Sequence, residues 1–69
     1  MGVTKISMNV NDEVLAALKD MAARDGLTQT EVTRRAISTW KYLMDAQREG
    51  KDVLIRSRES GETERIIFQ

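Results

Sequence analysis

Lys5, Ser7 and Asn9 are the residues whose types and spacing most invite a chemical reading. They form a row of a cation, a hydroxyl and an amide, each able to hydrogen-bond to the edge of a nucleic-acid base. Ile6, Met8 and Val10 interleave with them, so Thr4 to Val10 alternates polar and apolar at every step. Period-two alternation predicts a strand with one buried and one wet face. An ordinary solvated edge strand is the better account of the row when these residues are taken alone. Catalysis is a poor fit. The chain has no histidine and no cysteine, and its carboxylates fall at helix starts, on solvated faces or in cross-strand pairs. Nothing resembles a cleft-bound group with a shifted pKa, so no enzyme, metal or cofactor is expected.

Composition narrows the class further. At 69 residues the chain is a single small domain, near the lower limit of what folds alone. Without disulfides or a zinc site, such chains often reach sufficient apolar burial by oligomerising. No run approaches the ~18–20 apolar residues of a membrane span, and no signal segment is evident. The expected location is therefore cytoplasmic, with no membrane partner. Eleven basic and eleven acidic residues cancel, which argues against a purely electrostatic nucleic-acid binder. Basic groups gathered on one face, or doubled by a dimer, would escape that argument.

Two helices are predicted to position the row. Asn11 is a good N-cap, and Asp12 and Glu13 suit the positive end of the helix dipole. Val14, Leu15, Leu18, Met21 and Ala22 recur at helical spacing, and Gly26 is the expected left-handed stop. Thr28-Gln29-Thr30-Glu31 reads as a capping box, with Leu27 and Val32 as its hydrophobic staple. The second helix carries Val32, Ala36, Ile37, Trp40, Leu43 and Met44 on one stripe and ends near Glu49-Gly50. Glu31 and Arg35 stand four apart in the favourable orientation. Trp40 is expected in a core or dimer interface, with a partner contact as the alternative.

From Lys51 the pattern changes to two strand-like runs flanking Glu59-Ser60-Gly61. These predict a β-hairpin with Gly61 in the left-handed position. Centring the turn there pairs Arg58 with Glu62, Arg56 with Glu64 and Leu54 with Ile66, and the two opposite-charge pairs favour that register. An isolated hairpin is marginal in water, so this one must pack on its own helices, a dimer mate or another protein.

The order strand, helix, tight corner, long helix resembles the ribbon–helix–helix family of DNA-binding proteins, the MetJ/Arc/CopG class. The resemblance rests on Lys5-Ile6-Ser7-Met8-Asn9-Val10, on Gly26-Leu27-Thr28-Gln29-Thr30-Glu31-Val32 and on Arg35-Ala36-Ile37, and spans roughly Thr4 to Gly50. It implies a mainly α fold with short β, an intertwined homodimer whose N-terminal strands pair antiparallel as a ribbon. Residues 1–50 would form the DNA-binding and dimerisation domain, with the hairpin of residues 51–69 as an extension. Ile6, Met8 and Val10 would cover a dimer core shared with Val32, Ala36, Ile37 and Trp40. Lys5, Ser7 and Asn9 of both chains would face the major groove, where strand readers dock. In that pose Asn9 suits adenine, Lys5 suits guanine or a phosphate, and Ser7 discriminates less. The amides of Thr28, Gln29 and Thr30 at the second helix start would receive a DNA phosphate, assisted by Arg34 on the exposed side.

The resemblance carries an expected function: a sequence-specific transcriptional regulator, a repressor by preference, with operator DNA and itself as partners and a nucleoid-associated location. Higher-order assembly on tandem sites is a further expectation. Neutral charge and the added hairpin depart from the minimal pattern. The hairpin serves as a brace, a dimer–dimer surface or an arm for a protein partner. Two alternatives keep the sequence in view: an antitoxin that regulates its own synthesis, and an oligomerisation or adaptor module that binds no DNA.

Overall fold

The computed structural model describes residues 2–68. The chain is mainly helical, with two helices followed by a two-stranded antiparallel sheet: α1 (Asp12–Asp25), α2 (Gln29–Arg48), β1 (Leu54–Arg56) and β2 (Thr63–Arg65). It divides into two compact units, Met1–Arg34 and Arg35–Gln69, with the division inside α2. This strand order does not fit a classical ribbon–helix–helix chain, in which the strand precedes the helices. Residues 2–11 form no strand here. The physical reason is that a strand exists through its ladder, and the only ladder among the described residues joins β1 to β2.

In the first unit, α1 is bounded by the expected signals. Asn11 is extended (φ −78°, ψ 171°) and its side-chain oxygen accepts from the Val14 amide at 2.8 Å. Asp12 and Glu13 occupy the first turn and Arg24 the last, each with the sign that the helix dipole favours. Gly26 closes the helix in the left-handed region (φ 64°), a conformation that a β-carbon would disfavour. Both its amide and that of Leu27 (2.9 Å) converge on the Ala22 carbonyl, the hydrogen-bond pattern of a Schellman-type stop. Ala22 and Val32 are the buried residues of this unit, with Leu15, Leu18 and Leu27 half-buried.

The start of α2 follows within three residues. The Thr28 hydroxyl accepts from the Glu31 amide at 3.1 Å, and the Thr28 carbonyl accepts from Val32, also at 3.1 Å. Leu27 thus stands between one helix stop and the next helix start, as a staple residue should.

In the second unit, α2 ends in a full Schellman motif. The Gly50 amide donates to Gln47 and the Lys51 amide to Ala46, both at 3.0 Å, with Gly50 at φ 84°. Asp45 receives Lys41 at 2.6 Å and Arg48 at 3.4 Å. The Lys41 hydrogen bond holds the Asp45 carboxyl below its ordinary range. These pairs are solvent-exposed and contribute little to stability.

The β1–β2 register corrects the expected one by a single residue. Leu54 faces Arg65, Ile55 faces Glu64 and Arg56 faces Thr63. The anticipated ion pairs Arg58–Glu62 and Arg56–Glu64 are therefore not opposite one another, and Leu54 does not oppose Ile66. Two causes act together. Residues 57–62 close on themselves: Gly61 donates to the Ser57 carbonyl at 2.9 Å and Ser60 to its hydroxyl at 3.3 Å. The Ser60 hydroxyl in turn accepts from Glu62 at 3.2 Å. Gly61 takes the anticipated left-handed conformation at φ 76°.

The second cause is packing. Ile66 donates to Val53 at 2.9 Å, which places Val53, Ile66 and Phe68 on one face, and these three are half-buried. Phe68 meets Trp40 edge-to-face, with ring centroids 5.2 Å apart at 85°. Burying such side chains is worth about 1.5–3 kcal/mol each when complete, and an aromatic pair adds about 0.5–1.5 kcal/mol. Two exposed cross-strand ion pairs offer about 0–1 kcal/mol each. The packing wins.

Asn11→Ala should destabilise the chain by about 1 kcal/mol in urea unfolding at fixed protein concentration. Trp40 is the sole tryptophan, so Phe68→Ala should move its fluorescence emission to longer wavelength. An unchanged spectrum would mean that the ring contact is not held in solution.

Candidate nucleic-acid interface

Lys5, Ser7 and Asn9 lie in the segment leading into α1, which has no regular secondary structure, and all three are exposed. The lead-in joins α1 through Asn11, whose cap fixes where the helix begins. The apolar partners of the row are exposed too: Ile6 by 76%, Met8 by 60% and Val10 by 45%. Exposure declines towards the helix, yet none of the three is covered within this chain. The polar row and its apolar counter-row therefore both face solvent.

The second group of expected contacts sits at the start of α2. Thr28, Gln29 and Thr30 are exposed. Gln29 and Thr30 are the first two residues of the helix, so no carbonyl lies one turn back for their amides. The Gln29 carbonyl accepts from the Thr33 hydroxyl at 2.9 Å.

Arg34 is exposed but engaged. Its Nη2 donates to Glu31 Oε2 at 2.7 Å and its Nε to Oε1 at 3.4 Å. The guanidinium pKa is raised by that hydrogen bond and by the charge of Glu31. An arginine so held contributes less free positive charge than its type suggests. The sequence placed Arg34 correctly on an exposed face, and what it did not show was the carboxylate three residues earlier turning towards it.

The residues expected in a dimer core divide. Val32 is buried, whereas Ala36, Ile37 and Trp40 are exposed. Trp40 retains 51% exposure even with Phe68 against it.

The basic residues outside the expected site carry a signal that residue types alone did not reveal. Arg24, Arg34, Lys41, Arg48 and Lys51 each have a carboxylate within ion-pair distance. Arg56, Arg58 and Arg65 do not appear in any ion pair among the described residues. All three belong to the C-terminal sheet and its loop, and all are exposed. The clue was the register, which cross-strand charge matching got wrong by one.

No group of three or more metal-binding side chains occurs among the described residues, and no described helix is long and apolar enough to cross a membrane. No family model, no curated protein and no solved structure matches the chain.

Proposed function

We propose that this chain is a homodimeric, sequence-specific DNA-binding protein that acts as a transcriptional repressor, reading the major groove with a two-stranded ribbon. The observation that carries the reading is the paired rows of residues 4–10. Ile6, Met8 and Val10 form an apolar row left exposed, on a stretch whose backbone lacks a ladder partner among the described residues. A second copy supplies both needs at once. Two antiparallel copies of the stretch satisfy each other's backbone groups, and their six apolar side chains cover the exposed helix residues Ile37 and Trp40.

Lys5, Ser7 and Asn9 of both copies then face outward as a symmetric reading head. Asn9 suits a bidentate contact with adenine N6 and N7, and Lys5 suits guanine or a phosphate. The amides of Gln29 and Thr30 give a helix N-terminus for a backbone phosphate. Half-sites follow the two-fold axis of the dimer. The C-terminal hairpin braces the long helix through Phe68 and Trp40.

A second reading is favoured by one observation: Leu54, Ile55 and Ile67 of the C-terminal segment are each more than half exposed. In that reading the same DNA-binding dimer is an antitoxin, and the hairpin is its arm for a partner protein. Stoichiometric co-purification with a small protein encoded beside it distinguishes this from a free-standing repressor.

Alanine at Lys5, Ser7 or Asn9 should lower affinity for the selected operator at least tenfold for Lys5 and Asn9, about 1–3 kcal/mol per base contact, while sedimentation still reports a dimer. Gel-shift titration on a site selected from random DNA makes the measurement, and normal binding by all three variants would remove the ribbon as the reader. Glu31→Gln releases Arg34 from its charge partner. Operator binding should then tighten at low salt, with the log–log salt slope steepened by about 0.9 for each protomer.

A further inference from the structure

We infer that one face of the C-terminal sheet is a phosphate-binding surface for duplex DNA, with Arg56 and Arg65 as its contacts and Arg58 beside them. The inference rests on the DNA-binding reading above and supplies what that reading lacks, a source of affinity in a chain of zero net charge.

The observed register separates charge between the two faces of the sheet. Side chains alternate across a strand, so Leu54 and Arg56 of β1 share a face with Thr63 and Arg65 of β2. Ile55 and Glu64 occupy the opposite face, and Val53 and Ile66 continue it. Residues 51–68 carry four basic and four acidic side chains, and are neutral as a composition. Geometry, not composition, gathers the cations: in the expected register Arg56 would have met Glu64, and Arg58 of the loop would have met Glu62.

Instead, Arg56 opposes Thr63 and Arg65 opposes Leu54, so the two guanidinium groups are diagonal neighbours on one face. Diagonal side chains on adjacent strands are about 7–8 Å apart at the backbone, and a DNA strand carries one phosphate for about every 3.4 Å of axial rise, so two long arginine side chains so placed reach neighbouring phosphates. No ion pair holds either group among the described residues, so neither must give up a carboxylate to take a phosphate. Thr63 adds a hydroxyl between them, and the guanidinium fork suits bidentate phosphate contact. An acidic surface on a protein partner is the competing occupant. The duplex is favoured because two arginines and a hydroxyl in a short row match a repeating anion.

The test is salt-dependent binding of the full-length dimer to a selected operator and to an unrelated duplex. Arg56→Gln/Arg65→Gln should reduce the log–log salt slope by about 1.8 per sheet, 0.9 for each phosphate released, and weaken binding to both duplexes by the same factor. Arg56→Lys/Arg65→Lys should restore most of the slope, and Glu64→Gln on the other face should leave it unreduced. Circular dichroism and Trp40 fluorescence confirm that each variant is folded. A glutamine variant that is folded and keeps the wild-type slope overturns the phosphate surface while leaving the ribbon reading in place. Loss confined to the selected operator overturns it as well, because a phosphate contact carries no base preference. A wild-type protein that binds neither duplex overturns both readings together.

Discussion

Backbone polar groups at the helix ends set the structure of this chain more than its core does. Each helix leaves four amides and four carbonyls without intrahelical partners, and here a side chain or a glycine turn meets part of that demand at every end. Asn11 takes the Val14 amide, and Thr28 takes that of Glu31. The carbonyls of Ala22 and Ala46 each receive the amide five residues on. With Ala22 and Val32 as the buried hydrophobic residues, little tertiary packing is available to override these local signals. The helix boundaries therefore follow the capping residues closely.

The same scarcity of burial explains where the apolar side chains end up. Ile6, Met8, Val10, Ile37 and Trp40 are apolar, periodic and exposed. A periodic apolar row is a pattern selected for contact, and 69 residues offer too little surface to bury all of it internally. The proposed dimer answers that demand. It also turns a neutral monomer into a particle whose polar row is present twice, on one side.

Charge behaves in the opposite manner. Over most of α2 the basic groups are matched locally, Arg34 by Glu31 and both Lys41 and Arg48 by Asp45. In the C-terminal sheet the matching is given up: Val53, Ile66 and Phe68 are half-buried on one face, and Phe68 meets Trp40 edge-to-face. The arginines of that segment are released as a result. A one-residue shift in register thus puts Arg56 and Arg65 on the same face of the two-stranded sheet, a consequence of the strand period being two.

The two helices, their caps at Asn11 and Thr28 and their glycine stops at Gly26 and Gly50 were legible in the amino-acid sequence, because each depends on residues within five positions. So was Gly61 in its turn. The leading strand was legible only as a pattern: alternation from Thr4 to Val10 states which side chains go together, while a ladder requires a second strand, and that is not local information. Likewise the hydrogen bonds from Arg34 to Glu31 depend on side-chain geometry that the spacing of the two residues does not fix. The register of β1 against β2 was decided only in the folded structure. Cross-strand charge pairing pointed to one alignment, and the contact of Phe68 with Trp40, together with the serine hydrogen bonds of the turn, selected its neighbour, because even half-buried apolar contact outweighs exposed ion pairs in water.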